Sequence, residues 1–383
     1  MNIKKNLYVD VTNFLDTKLN TGIQRVLKEF LYHAIEDNEI ELKILYFNQK
    51  KNEYVIIPKK EYKLILNTTE KFSIDFNNSL DIFNEKKEKK YFFDLDRVWN
   101  SKPNRNDLYK KLKESNFYII NYIYDMIPIL YPSYFYNETK KNFPLYINAL
   151  LRYSNHVFFD SKSCQKDFLE HKKKQRNTRD IKNSVIHLGC DFRIDSKKII
   201  QEQYKELFEK KYILFVGTIE PRKKHKDLLS VFELLHKKHP DLNLIFIGKF
   251  GWDMEELKNT IKNHILLNKV FFHLENIEDE TLVRFYENAF IVCYLSKYEG
   301  FGLPVAESLF FDNITITSKN SSLKEISNTV LFENSKEELY NLLDNFLKDD
   351  ELYEKEKLFI KKTKNLITWN NFYTTFRKEL LKA

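Results

Sequence analysis

"YEGFGLPVAESLFF", residues 298–311, decides how this chain is read. Gly300 and Gly302 stand two positions apart between Glu299 and Glu307, in a chain with only 7 glycines among 383 residues. Ordinary usage of ~7% would give about 27. Glycine is needed where a backbone takes φ > 0 or is approached closely. A chain that avoids it elsewhere therefore marks, with Gly22, Gly189, Gly217, Gly248, Gly251, Gly300 and Gly302, the places where its backbone does unusual work.

Around that stretch the second half alternates regularly. Strand "YILFVG" (212–217) leads to a helix over 224–239, and strand "LNLIFIG" (243–249) to a helix over 253–264. Strand "KVFFHL" (269–274) precedes a helix over 279–289, and strand "FIVCYLS" (290–296) a helix over 303–311. Such alternation predicts right-handed crossovers and a parallel sheet covered on both faces. The first half shows strands at 6–12, 41–47, 90–96, 117–125 and 156–160, with helices over 21–35, near 138–152 and over 161–171. Gly217, Gly248 and Gly300 each follow a predicted strand, and Gly22 opens a predicted helix. Ligands of open α/β sheets bind at those strand ends, where helix N-termini offer free N–H groups.

Length and charge point to two domains, because 383 residues exceed the size at which one core keeps growing. Residues 1–195 carry 34 Lys+Arg against 26 Asp+Glu, a balance of +8, whereas residues 196–383 carry 29 of each. Nothing at the start resembles a signal peptide, and no apolar run reaches the roughly 20 residues of a membrane span. Cys164, Cys190 and Cys293 are far apart, without metal-like spacing, which suits a reducing cytosol. The segment 196–211, charged and free of motifs, is expected to open the second domain. No nucleic-acid recognition module is present, so the basic half is not read as a nucleic-acid binder.

The ligand expected at the glycine loops is an anion. A Walker motif is missing, since Phe250 follows Gly248-Lys249, and the dinucleotide fingerprint fails at Val305. "EPRKKHK" (220–226) places Arg222 and Lys223 at a strand-to-helix junction, suited to a phosphate group. Glu307 lies in an apolar helical segment where an ionised carboxylate is costly without partners. It is read as an acceptor for vicinal hydroxyls such as a ribose diol, the alternative being an ion pair with a basic neighbour.

"VGTIEPRKKH" (216–225), "IGKFGW" (247–252) and "YEGFGLPVAE" (298–307) together resemble the family 4 retaining glycosyltransferases of GT-B fold. "NTGIQRV" (20–26), "IYDMIPILYP" (123–132), "HVFFDSKSCQKDF" (156–168), "VIHLGCD" (185–191) and "ITWNNFYTTF" (367–376) agree in order. The resemblance implies an α/β chain with two Rossmann-like domains facing a cleft. Residues 1–195 would form an acceptor domain and 196–366 a nucleotide-sugar domain, with a helix over 367–383 crossing back to the first. Arg222 and Lys223 would neutralise the donor diphosphate, helped by N–H groups around Gly22 and Gly300–Gly302. Thr218, Lys249, Phe301 and Leu303 complete the expected donor site, in which Glu307 holds the ribose and Glu299 lies near the transferred sugar. Base recognition falls to backbone around Phe272–Leu274. Tyr124 and Asp125 are the acceptor-side residues, Asp125 with a catalytic role. The expected activity is transfer of a hexose, mannose- or rhamnose-type, from a GDP-, UDP- or dTDP-sugar to a lipid-linked bacterial surface glycan. Retention would proceed by front-face attack, with no protein nucleophile, no metal and no cofactor.

The chain departs from the family at three points. Tyr124-Asp125 stands where many relatives have His-Asp, Thr218 where some carry Arg, and "FFDNIT" (310–315) replaces a glycine-containing turn. A non-catalytic GT-B partner subunit is the alternative reading. "DLD" (94–96) has the form of a metal-holding D-x-D, and its aspartates are read as structural or acceptor-side. The excess positive charge of residues 1–195 suits either solubility or a peripheral contact with an anionic cytoplasmic membrane face, through Lys86, Lys87, Lys89 and Lys90 or through Lys172, Lys173 and Lys174.

Overall fold

The computed structural model describes residues 4–17, 21–67, 82–83, 89–176, 179–194, 200–251, 254–326, 328–332 and 335–383. The chain divides into two compact units, Met1–Gly189 with Thr368–Ala383, and Cys190–Ile367.

In the first unit, strands β1 (Lys5–Asp10), β2 (Ile40–Asn48), β3 (Glu53–Ile56), β4 (Lys90–Asp94), β5 (Phe117–Ile123), β6 (His156–Phe159) and β7 (Lys182–Val185) form one sheet. Its order is β3-β2-β1-β4-β5-β6-β7. All neighbours are parallel except β2 and β3, which pair antiparallel at the edge. The central strands are buried along their length, as "KYFFD" of β4 illustrates, because helices cover both faces. On one face the helix Asn137–Tyr153 packs Phe143, Ile147 and Leu150 into a core with Phe92 and Tyr109.

The helix Gly22–Ile35 and the last helix, Trp369–Lys382, cover the other face. Phe376 stacks on Phe93 at 4.4 Å and meets Phe30 edge-on at 4.9 Å. Arg377 Nε lies 2.9 Å from Asp37 Oδ2, to which Tyr373 Oη also donates at 2.8 Å. Full burial of one such aromatic stabilises by about 1.5–3 kcal/mol, so Phe376→Ala is the single change that would loosen this helix most.

In the second unit β8 (Tyr212–Val216), β9 (Asn243–Ile247), β10 (Phe271–Leu274), β11 (Ile291–Tyr294), β12 (Thr315–Ser318) and β13 (Val330–Phe332) form an all-parallel sheet. Its order is β10-β9-β8-β11-β12-β13. Both sheets reverse their strand order once, between β1 and β4 and between β8 and β11. In such folds that switch point leaves a crevice beyond the strand ends.

The first boundary lies between Gly189 and Cys190, ahead of the expected 195/196. Phe192 packs on Tyr286 and Phe311, and Cys190 N donates to Ile367 O at 3.1 Å, which ties residues 190–194 to the second unit. With these limits the first unit carries 36 Lys+Arg against 25 Asp+Glu, or +11, and the second 27 against 30, or −3. Strands β3, β7, β12 and β13 and the helices Arg105–Glu114, Lys336–Lys348 and Asp350–Thr363 are additions to the sequence reading.

Candidate active site

The second unit assembles a charged cluster at its switch point. After β8 the chain passes Gly217 and Thr218, enters a single turn at Pro221–Lys223, and starts the helix His225–Lys238 through Lys224 in the left-handed region. After β11 it runs through Ser296 and Tyr298 to Glu299 and Gly300, then starts the helix Leu303–Phe310. One backbone bond joins the two loops, Lys297 N donating to Arg222 O at 2.8 Å.

Two glycines are obligatory here. Gly302 has φ +97°, and a Cβ on it would sit 2.5 Å from Leu323 Cδ2. At Gly248 an added Cβ would lie 2.2 Å from Gly217 O, so the loops after β8 and β9 touch backbone to backbone.

Arg222 is the centre of the cluster. Its Nη1 lies 2.5 Å from Glu299 Oε1 and donates to Tyr298 O at 2.8 Å, while Nη2 lies 2.8 Å from Glu220 Oε1. Lys223 Nζ stands 3.8 Å from that same Glu220 oxygen and 5.2 Å above the Tyr294 ring. Tyr294 Oη donates to Glu299 Oε1 at 3.1 Å. Burial pushes the Glu299 carboxyl up, but Arg222 and then Lys223 outweigh it and hold the group below its ordinary value, hence ionised. Burial lowers the Lys223 ammonium, against the pull of Glu299. Ser321 and Ser322 hold the glycine turn, Glu299 N donating to Ser321 Oγ at 2.9 Å and Ser322 Oγ to the carbonyls of Glu299 and Phe301, both at 3.0 Å.

Arg222, Lys223 and Glu299 are thus brought together. Thr218 and Lys249 stand exposed on the loops after β8 and β9, and Gly300, Phe301 and Leu303 form the turn into the last helix of the cluster. Glu307 is 3% exposed on that helix and accepts a bond from Tyr286 Oη at 3.0 Å. The sequence reading missed Glu220, Tyr286, Tyr294 and the two serines. Only Glu220 carried a signal, its place beside Arg222.

In the first unit Gly22 is the first residue of its helix, capped by Thr21 and Gln24. Tyr124 Oη donates to Leu95 O at 2.6 Å, and Asp125 Oδ1 accepts from Ile127 N at 2.9 Å. The D-x-D aspartates are held by protein groups. Asp94 meets Arg105 Nε at 2.8 Å and Tyr109 Oη at 2.6 Å. Asp96 accepts from Gln24 Nε2 at 3.0 Å and Asn13 Nδ2 at 3.1 Å. Of the lysines considered for a membrane contact, Lys86 and Lys87 lie outside the described residues. Lys90 is 2% exposed and donates to Ile82 O, so burial removes it from that surface; Lys89, Lys173 and Lys174 are exposed. No described helix is long and apolar enough to cross a membrane.

Residues 196–365 match the family described as Glycosyl transferases group 1. That match lies wholly within the second unit, Cys190–Ile367. It is 29% identical over 197 residues, 49% of its length and 24% of the relative's, to the serotype-specific mannosyltransferase WbdA of Escherichia coli. Over 119 residues it is 33% identical to the O-antigen chain mannosyltransferase B of Escherichia coli, covering 30% of each. The chain spans about a quarter of the length of the WbdA relatives it matches. Anabaena Alr3699/HepE, solved in complex with UDP-glucose, superposes with a TM-score of 0.67 at 13% identity, covering 99% of this chain and 100% of that one. The fold is therefore GT-B, built from two Rossmann-like α/β units. Its family match falls on the unit that carries the charged cluster.

Proposed function

We propose that the protein is a retaining glycosyltransferase that moves a hexose from a nucleotide sugar to a growing, lipid-linked bacterial surface glycan. The observation that carries this reading is the cation pair Arg222 and Lys223 at the switch point of the second unit, with Glu299 across from them. Arg222 is paired with two carboxylates, and an incoming diphosphate offers the same bidentate geometry with more charge. Lys223, desolvated against Tyr294, gains more from a nearby dianion than a hydrated lysine would. Both then face the diphosphate as the glycosidic bond breaks and its charge grows. Glu307 accepts the ribose hydroxyls, and the leaving phosphate takes the acceptor proton as the new bond forms on the same face. Asp125 and Tyr124 serve the acceptor. The similarity to mannosyltransferases supports a mannose-type donor.

Two fixed cations meet the charge requirement of the diphosphate, so turnover should survive EDTA. The first unit's charge of +11 supports peripheral contact with the inner face of the cytoplasmic membrane. The deciding experiment is a thermal-shift and turnover screen against GDP-, UDP- and dTDP-hexoses, with Arg222→Ala as control. A donor that binds the native state raises the melting temperature, and the control should lose that rise. No shift with any donor, or an equal shift in the control, overturns the assignment.

A further inference from the structure

The first unit holds a cavity of about 230 Å³ between the segment 98–106, which follows β4, and the first half of the helix Asn137–Tyr153. That is below the roughly 300–1,000 Å³ of sites for drug-sized ligands, so it suits about one ring and not a nucleotide. Trp99 forms part of its wall and is fixed edge-on against Phe143 at 5.1 Å.

The polar lining is mostly neutral. Asn142 Nδ2 donates to Asn100 Oδ1 at 3.2 Å, and Asn100 Nδ2 to Thr139 Oγ1 at 3.2 Å, which orients both amides. Asn104 Oδ1 accepts from Asn106 N at 2.9 Å, leaving its amino end for other partners. Arg105 also lines the cavity, but its guanidinium is consumed by Asp94, Asp10 and Pro103 O, at 2.8, 2.8 and 3.0 Å. The remaining charges at the rim, Lys102 and Glu138, are exposed and opposite. The lining cation that Asp94 and Asp10 do not hold, Lys102, stands at the exposed rim together with the acid Glu138, so the inner lining is mainly amide and aromatic. Oriented amides both donate and accept, as a hydroxyl does, and a flat aromatic wall suits the C–H face of a ring. The rim is preorganised, since Ser101 Oγ donates to Asn13 Oδ1 at 3.3 Å and Asn13 to Asp96.

We propose that this cavity is a saccharide subsite, taking one hexose residue of the acceptor glycan through Asn142 and Asn104 with Trp99 as its aromatic wall. The word acceptor rests on the glycosyltransferase reading; saccharide binding does not. The test is ligand-observed saturation-transfer NMR on the full chain, with α-mannobiose and the methyl glycosides of mannose, rhamnose and glucose as probes. At least one probe should receive saturation from the unaltered protein. Asn142→Trp, which fills the cavity, and Asn142→Ala, which strips one amide, should each weaken it roughly tenfold. Arg222→Ala should leave it unchanged. Transfer to none of the probes, or transfer undiminished relative to the unaltered protein in both Asn142 variants, overturns the subsite. Saccharide binding without donor turnover would instead strike the glycosyltransferase reading and leave the subsite standing.

Discussion

Each unit places an arginine across its switch point, and the two arginines have opposite fates. In the first, Arg105 joins Asp10 at the end of β1 to Asp94 at the end of β4, and its side chain is only 3% exposed. In the second, Arg222 reaches from the loop after β8 to Glu299 beyond β11, and its side chain is 13% exposed. Arg105 is closed in by Tyr109 and by Tyr54, whose hydroxyl donates to Asp10 Oδ2 at 2.9 Å. Arg222 has a second cation beside it, and glycine loops flank it. The same topology thus yields a sealed ion pair that holds strands together, and a slightly more open one whose carboxylates a ligand would replace under the proposed function. What separates them is whether tyrosines from a neighbouring strand and helix close over the arginine or glycine loops flank it.

The largest effect that would test this contrast is on stability. Arg105→Ala strands two buried carboxylates and should cost about 3–5 kcal/mol, read as a lowered midpoint in urea unfolding. Arg222→Ala should cost less in the same measurement, because its partners Glu299 and Glu220 keep 9% and 14% of their side-chain exposure, against 0–1% for Asp94 and Asp10. Equal losses would erase the distinction.

Turnover should respond in reverse. Arg222→Ala and Lys223→Ala should each lower kcat/KM by about 2–4 kcal/mol of transition-state stabilisation while the fold persists. Near-normal rates in both would reduce the second cluster to a structural one, like the first.

A smaller change sharpens the contrast within the second unit. Glu307→Gln should weaken binding of the free nucleoside diphosphate about tenfold, ~1.4 kcal/mol, because an amide is a poorer acceptor than a carboxylate. Calorimetric titration reads this directly, and unchanged affinity would make Glu307 a partner of Tyr286 and nothing more.

The smallest effect concerns the difference in charge between the units. Each exposed lysine near an anionic leaflet contributes ~1 kcal/mol, so Lys173→Glu with Lys174→Glu should reduce co-sedimentation with anionic vesicles, and added salt should do the same. Equal binding to neutral vesicles would exclude the electrostatic account.

Much of this was legible in the residues, and the failures have a common cause. Strands such as "YILFV" and "NLIFI" are apolar because both faces are covered, so they stand out. "TITS" is equally buried but polar, and it escaped notice. Two of its hydroxyls are satisfied by tertiary partners, with Thr317 Oγ1 donating to Tyr294 O at 2.9 Å and Ser318 Oγ accepting from Ser296 N at 3.0 Å. No local pattern announces such bonds. β7, "KNSV", is a half-exposed edge and carries no apolar signal at all. At the site, Arg222, Lys223 and Glu299 were visible because glycines framed them. Glu220 stands two residues before Arg222, and only folding showed it shared between both cations.

The placement of the last helix bears on how the protein is made. Phe30, Phe93 and Phe158 are covered by Phe376, which lies seven residues from the end of the chain. Between the first unit's sheet and that helix the ribosome must synthesise all of Cys190–Ile367. At ~5–20 residues per second this takes roughly 10–35 s. Throughout that interval a finished sheet waits with an aromatic face uncovered. Of the two units, the one begun earlier is completed later, and until then Phe30, Phe93 and Phe158 lack their cover by Phe376.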